Sequence, residues 1–391
     1  MTLTAPPSLH LPAETLERFR QQAAADDQAN SFFHETHHEL LEIGHYTANV
    51  SAEQGGGGLD LAQMGRRQRQ LGRFAPAPAL ATCMHLYWTG AAADLGRMGL
   101  DDLDFVTAGA LAGEIFASGH AESGNDVVVA ASTMTADPVE SGYRLTGRKH
   151  FGSLGPVWTQ LGVHAMDSSD PDHPTIVHAF VRRDDAGVDV IENWDTITMR
   201  ASQSYDTVLD ATFVPHDRVG AVVPAGSEDS PVLGAFFTWA VTLISNVYVG
   251  IAERAVELAI ESAQGRTSIG LDGRSMAHNP MVQHQVADAW MAVEGVRSQL
   301  ELLAQDWIAG NVGPDWAPRL FGAKHRTAVE TRRVVDVAAE VIGGSAISNT
   351  GEFSRLWRDS RGVAFHPPGH ALAHEQVGKA LLEIDPSGPR W

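Results

Sequence analysis

The stretch Glu340–His370, EVIGGSAISNTGEFSRLWRDSRGVAFHPPGH, decides how the rest of the chain is read. It leaves a helix at Gly343-Gly344, where the missing Cβ atoms permit a turn that other residues resist. It then runs through a basic segment ending in Arg358-Asp359 and closes on His366-Pro367-Pro368-Gly369-His370. Proline fixes its own φ and restricts the residue before it, so the Pro-Pro pair predicts a fixed turn between two histidines.

Upstream of this stretch, apolar residues recur at helical spacing. Val334, Val337 and Val341 form one stripe, and Val282, Val286, Ala289, Trp290 and Val293 a second. Ile251, Ala255, Leu258, Ala259 and Ser262 form a third. Residues 231–391 therefore read as a bundle of long helices, four in number. Between 121 and 230 the period shortens. Val127–Val129, Tyr143–Leu145, Ile176–Val181, Val188–Ile191 and Thr207–Val214 are β-type runs punctuated by Gly142, Asp170-Pro171 and Asp185-Ala186-Gly187. They predict a small antiparallel barrel or sandwich, with the polar segment from Asp167 to Pro174 as a surface loop. Residues 1–120 read as helical, with one helix over 13–45 and a second block over 60–120. The fold class is thus α+β, mostly α, in three parts.

Composition narrows the function. Hydrophobic content of 43% and charged content of 19% over 391 residues suit a globular protein with two or three packed units. A formal net charge of −20 argues against nucleic acid or an anionic membrane as partner. No apolar run approaches the roughly 20 residues that span a bilayer, and the N-terminus MTLTAPPSLHLPAETLERF lacks an export signal. The single cysteine, Cys83, leaves no intrachain disulfide, so a reducing, cytoplasmic setting is expected.

Two local patterns invite stronger readings. His34-Glu35-Thr36-His37-His38 matches H-E-x-x-H, the zinc motif with a glutamate base, but no third ligand is evident nearby, so a solvated helix face is expected and no metal site. Gly55–Gly58 can cradle a phosphate, yet no strand precedes them and no GK[ST] follows.

Seven strings in order carry a wider resemblance. They are Ser51–Gly58, Ala121–Asp126, Tyr143–Ser153, Met199–Ser202 with Val214-Pro215, Arg266–Gly270, Ile342–Gly344 and Arg358-Asp359. Together they resemble the acyl-CoA dehydrogenase superfamily over nearly the whole chain. The resemblance implies a flavin, FAD or FMN. It places Phe151 against the flavin ring and Ser153 at its N5/O4 edge, while composition alone leaves Phe151 as core and Ser153 as a turn residue. It also assigns flavin contacts to Ser118, Gly119, Gly124 and Asn125. Arg266, Ile269, Gly343 and Gly344 fall where the family meets a neighbouring subunit's flavin, which implies a homo-oligomer, dimer or tetramer. Glu340 stands where the family often has a glutamine near the adenine end.

The chain departs from the family at its catalytic base. A dehydrogenase needs a carboxylate over the substrate's α-carbon. The usual position falls on Pro367 or Pro368, and the alternative one, on the first bundle helix, falls near Ala240. The closing turn instead resembles the flavin monooxygenase branch, dibenzothiophene monooxygenase-like, which uses reduced flavin and O2. There His366, His85 on an early helix and Ser153 are the candidate catalytic residues, with imidazoles titrating near neutrality. Phe236, Phe237 and Trp239, with His370, are the expected substrate pocket. The favoured reading is a monooxygenase of a small apolar or aromatic substrate, supplied with reduced flavin by a partner reductase. The alternatives are an acyl-CoA dehydrogenase with an atypical base, or a base-less subunit of a heteromeric one.

Overall fold

The structure, a computed structural model, describes residues 10–227 and 229–384. The N-terminal helices are α1 (Ala13–Ala29), α2 (His34–Glu42), α3 (Leu61–Phe74), α4 (Pro76–Arg97) and α5 (Asp104–Leu111). The expected helix over 13–45 is two helices, because Asn30 turns left-handed (φ 52) and closes α1. A capping box fixes the start of α3: the Asp60 side chain accepts from the Gln63 amide (2.8 Å) and the Gln63 side chain from the Asp60 amide (3.0 Å). His34 and His38 lie exposed on α2, whereas His37 between them is buried with Nδ1 2.6 Å from the Tyr46 hydroxyl. The four-glycine turn holds no phosphate cradle. The amides of Gly55, Gly56, Gly57 and Gly58 all donate to carbonyls within residues 47–52.

Eight strands follow: β1 (Phe116–Gly119), β2 (Thr135–Val139), β3 (Gly142–Gly152), β4 (Gln160–Asp167), β5 (Thr175–Arg182), β6 (Val188–Ile191), β7 (Tyr205–Pro215) and β8 (Val219–Pro224). They form one sheet in the order β6-β7-β3-β2-β4-β5-β8, with β1 against β4. The sheet is mixed, not purely antiparallel: β1 and β2 each pair parallel to β4. The run at Val127–Val129 is a single helical turn, not a strand. The segment between β4 and β5 is the exposed loop expected there.

The chain ends in α6 (Pro231–Gly265), α7 (Pro280–Ile308), α8 (Trp316–Ile342), α9 (Glu352–Ser360) and α10 (His370–Leu381). Against the expectation that no apolar run approaches membrane-spanning length, helix α6 is long and apolar enough to cross a bilayer, but 89% of its apolar window is buried in the fold. It is the central core helix. Gly72 and Gly250 let α3 and α6 cross at backbone contact, since a Cβ at Gly250 would stand 2.3 Å from the Arg69 carbonyl oxygen. Ile251, Ala255 and Ala259 are buried as their spacing predicts, but Trp290 is 56% exposed. One hydrophobic cluster joins residues from the N-terminal helices, the sheet and α6. This arrangement brings α4, β1, the end of β3 and α6 around one cavity.

Candidate active site

The cavity encloses about 610 Å³. Its apolar wall comes from Met84 and Tyr87 on α4 and from Phe236, Phe237, Ala240, Val241 and Ile244 on α6. Those α6 positions repeat at helical spacing, so one face of the core helix becomes the wall.

Backbone at and beside another part of the lining, from the end of β3 and residues 194–204, is strained. Phe151 (φ 66), Leu154 (φ 63), Met199 (φ 51) and Gln203 (φ 43) all adopt left-handed backbone, which for non-glycine residues costs about 1–3 kcal/mol each. Bonds from distant elements hold it. Asp359 Oδ1 accepts the Met199 amide at 2.6 Å, Arg200 donates to the Asp27 carbonyl at 2.8 Å, and Arg358 pairs with the Asp27 carboxylate at 2.5 Å. The strings Met199–Ser202 and Arg358-Asp359, 160 positions apart, therefore meet. Asp359 is buried, and burial pushes its pKa up to about 6 against the pull of Arg355 and the Met199 amide.

Three hydroxyls line this wall. Ser204 Oγ lies 2.7 Å from Ser153 Oγ and 2.8 Å from Ser202 Oγ. Two hydrogen bonds consume two of the three protons, which leaves one donor at the cavity surface. Ser118 on β1 accepts from the Trp88 indole at 2.7 Å and also hydrogen-bonds the Tyr87 hydroxyl. Phe151 stands at the rim, 59% exposed, edge-on to Trp194 at 6.0 Å.

Beneath the cavity lies a buried polar stack that the sequence reading largely missed. His120, at the end of β1, lines the cavity and stacks on His164 of β4 (5.4 Å, 11°), which stacks on His178 of β5 (5.9 Å). The register pairs His164 with His178 across the two strands. Lys149 Nζ lies 3.2 Å from His164 Nδ1 and forms a buried ion pair with Glu122. Glu122 also accepts from Ser132 (2.5 Å), the Thr133 amide (2.8 Å) and Asn125 (3.0 Å). Burial works against both charges. At Glu122 it is outweighed by Lys149 and the hydrogen bonds, so the carboxyl stays below its ordinary value. At Lys149 burial lowers the pKa to about 8. His120 is driven well below its ordinary value by burial and by Lys149, so it is a neutral imidazole, and neither of its ring nitrogens has a partner among the described residues.

The closing turn supplies the third wall through Gly362, Phe365, His366 and Pro367. His366 Nε2 lies 2.8 Å from the hydroxyl of Tyr248, a buried residue of α6. Gly362 makes room for that hydroxyl, since a Cβ there would stand 2.7 Å from it. Lys324 of α8 holds the turn by its backbone, donating to the carbonyls of Val363 (3.2 Å), Pro368 (2.8 Å) and His366. Burial, then Lys324, lowers the His366 pKa to about 3. This corrects the expectation of an imidazole titrating near neutrality: His366 is neutral there.

Of the residues expected from sequence, His366, Ser153, Ser118, Phe151, Phe236 and Phe237 converge on the cavity. His85 does not. It is fully buried, accepting the Phe116 amide at Nδ1 (3.0 Å) and donating from Nε2 to the Tyr46 carbonyl (2.8 Å). Trp239 is buried behind the wall, donating to Asp94 at 2.7 Å, and Gly119 lies against Lys149. Gly124 and Asn125 form the turn above Glu122, where Asn125 also donates to the Ala131 carbonyl at 2.7 Å. His370 is exposed at the start of α10, away from the lining. Arg266 caps α8, donating to the carbonyls of Val341 (2.8 Å) and Ile342 (2.9 Å), and its guanidinium fills the space where a Cβ at Gly343 would sit. Gly344 and Ile269 are exposed near it, and Glu340 accepts from Gln285 at 2.8 Å. The missed residues, His164, Tyr248, Lys324 and Ser204, carried only weak signals, such as Ser204 two places beyond a matched string.

Known proteins agree with this fold. Residues 242–368 match the family described as acyl-CoA dehydrogenase, C-terminal domain. A putative acyl-CoA dehydrogenase, YdbM, of Bacillus subtilis (strain 168) is 25% identical over 93% of this chain and 94% of its own. Dibenzothiophene monooxygenase of Rhodococcus qingshengii is 28% identical over 68% of this chain and 67% of its own. The structure of KijD3 in complex with FMN and a dTDP-linked amino sugar superposes with a TM-score of 0.84 at 22% identity, over 98% of this chain and 97% of that one. The chain thus resembles the superfamily, including its monooxygenase branch.

The residues present fit a flavin. A flat heteroaromatic ring with a polar edge needs an aromatic or apolar face to pack on and hydrogen-bonding groups at its rim. Phe151 offers exposed ring surface, and the serine cluster and His120 offer groups with spare hydrogen-bonding capacity.

Proposed function

We propose that this protein is a flavin-dependent monooxygenase, a hydroxylase of a small apolar or aromatic molecule, with reduced FMN or FAD delivered by a separate reductase. The observation that carries this reading is the chemistry of the cavity wall. Ala240 and Pro367 both line it, at the two places where a dehydrogenase of this fold would need a carboxylate. The one acid among the lining residues, Asp195, has a side chain 90% exposed at the rim and lies 3.8 Å from Arg200. A solvated carboxylate there is poorly suited to abstract an α-proton inside a closed site.

Bound reduced flavin supplies the electrons that activate O2. The chain's own residues do the rest. Met84, Phe236 and Phe237 exclude water and give an apolar or aromatic molecule a matching surface. Neutral His366, oriented by Tyr248, and neutral His120 provide hydrogen-bonding groups on two sides of the cavity. Ser153 presents its hydroxyl at the wall beside Phe151. A second copy of the chain completes the assembly, since Ile269 (98% exposed) and Ile347 (86%) lie bare near Arg266 and Gly343.

The test is oxygen transfer. Tag-free protein is supplied with FMN, a flavin reductase, NADH and 18O2, then offered indoles, aryl thioethers and hydrophobic amines. One 18O atom per product, lost in Phe236→Asp, is expected. Absence of labelled product across the panel, together with anaerobic bleaching of bound flavin by an acyl-CoA, would overturn the proposal in favour of a dehydrogenase.

A further inference from the structure

His370, expected in the substrate pocket, instead joins two other histidines. His325 projects from α8, and His370 and His374 stand one turn apart on α10. One ligand nitrogen from each lies within 4.8 Å of the other two. The rings approach at 5.0 Å (His325–His370), 4.5 Å (His325–His374) and 4.3 Å (His370–His374). From this geometry we propose that His325, His370 and His374 form a binding site for a borderline divalent transition metal, Zn2+ being the reference ion.

The ligand type selects the metal. Three imidazoles suit zinc, nickel, cobalt or copper, whereas magnesium and calcium require oxygen ligands. The i, i+4 spacing of His370 and His374 puts both on one face of α10, opposite the third ligand on a different helix. His374 is already set for the task. Its Nδ1 lies 2.8 Å from the His370 carbonyl oxygen and donates to it, which directs the Nε2 lone pair away from the helix. A backbone carbonyl on the far nitrogen is the arrangement that orients histidine ligands in metal sites. The rings of His325 and His370 have no hydrogen-bond partner among the described residues, so neither need break a bond to bind. Zinc–nitrogen bonds of about 2.0–2.1 Å require ligand nitrogens about 3.3 Å apart in a tetrahedron. With His374 held, the rings of His325 and His370 can close that gap by side-chain rotation. Solvent completes the coordination.

The site also touches the cavity through the backbone. Residues 366–369 lead directly into α10, and Lys324, the residue before His325, holds the carbonyls of that turn. A metal joining α8 to α10 therefore clamps the segment that carries His366, while lying outside the cavity itself. The proposal does not depend on the oxygenase reading.

The experiment uses tag-free, chelator-treated full-length protein titrated with Zn2+, read by calorimetry and by metal content after gel filtration. One equivalent per chain is expected, with a rise in Tm. His325→Ala and His374→Ala should each weaken binding at least ten-fold with unchanged circular dichroism. The double variant His34→Ala/His38→Ala, which removes the other i, i+4 pair, should leave it intact. No saturable binding at one equivalent overturns the proposal. So does binding that survives His325→Ala and His374→Ala, or binding lost only in the His34/His38 variant.

Discussion

Replacing Lys149 by methionine removes the cation from the pair beneath the cavity floor while keeping most of the volume. Side-chain exposure there is 1% for Lys149 and 0% for Glu122, so water cannot take over its role. Removing one partner of a buried pair costs about 3–5 kcal/mol, because the other charge is left uncompensated. Glu122 keeps its bonds from Ser132, the Thr133 amide and Asn125, which favours the lower end, about 3 kcal/mol. Adding Glu122→Gln removes the stranded charge, and the double variant should recover at least half of that loss. The pH dependence has a definite sign. In the wild type the Glu122 carboxyl is held low, so its contribution is present above the unfolded carboxylate pKa of about 4.3 and fades as pH falls through the lower folded value. In Lys149→Met burial is opposed only by those hydrogen bonds, so the Glu122 pKa rises relative to the wild type and the variant's deficit shrinks at acid pH as Glu122 takes up a proton. Urea midpoints of the four proteins at one concentration, at pH 5 and pH 7.5, measure both effects. Single-variant losses that add to within about 0.5 kcal/mol, or a deficit that grows toward pH 5, would refute the reasoning.

Three further outcomes are expected. Tyr248→Phe deletes the hydroxyl 2.8 Å from His366 Nε2 inside an otherwise unchanged ring packing; it should cost about 0.5–1.5 kcal/mol in stability and lower product per NADH consumed, with flavin affinity within two-fold of wild type by fluorescence titration. Asp359→Asn keeps an acceptor for the Met199 amide but removes a carboxylate whose pKa is raised to about 6 by burial. The folded state binds more protons than the unfolded one between about pH 4 and 6, so ionisation works against folding above that window, by on the order of 3 kcal/mol. Thermal midpoints should therefore shift in favour of the asparagine variant as pH rises from 4.5 to 7.5. Gly90→Ala places a Cβ 2.3 Å from the Trp239 ring, and overpacking of about 1–3 kcal/mol should appear as a lowered Tm.

The sequence alone determined most of the helices and strands, though not the break at Asn30 or the parallel pairing of β1 and β2 with β4. Helical stripes such as Ile251, Ala255 and Ala259 are local consequences of period and burial. The strings Tyr143–Ser153, Met199–Ser202 and Arg358-Asp359 record backbone and packing requirements that a short stretch can display. That residues 240, 367 and 368 are not carboxylates was legible too, because a side-chain type needs no geometry to be read. Which histidines face the cavity was not. His85, His120, His366 and His370 are the same residue type near similar neighbours, yet one is held by two backbone groups, one stacks under the cavity, one meets Tyr248, and one faces His325 and His374. Each difference comes from a partner at least 31 positions away, across strand register or helix packing, apart from the turn that joins His370 to His374. Charge state followed the same division: an imidazole titrates near neutrality by composition, and only the burial of His366 against α6 and Lys324 makes it neutral.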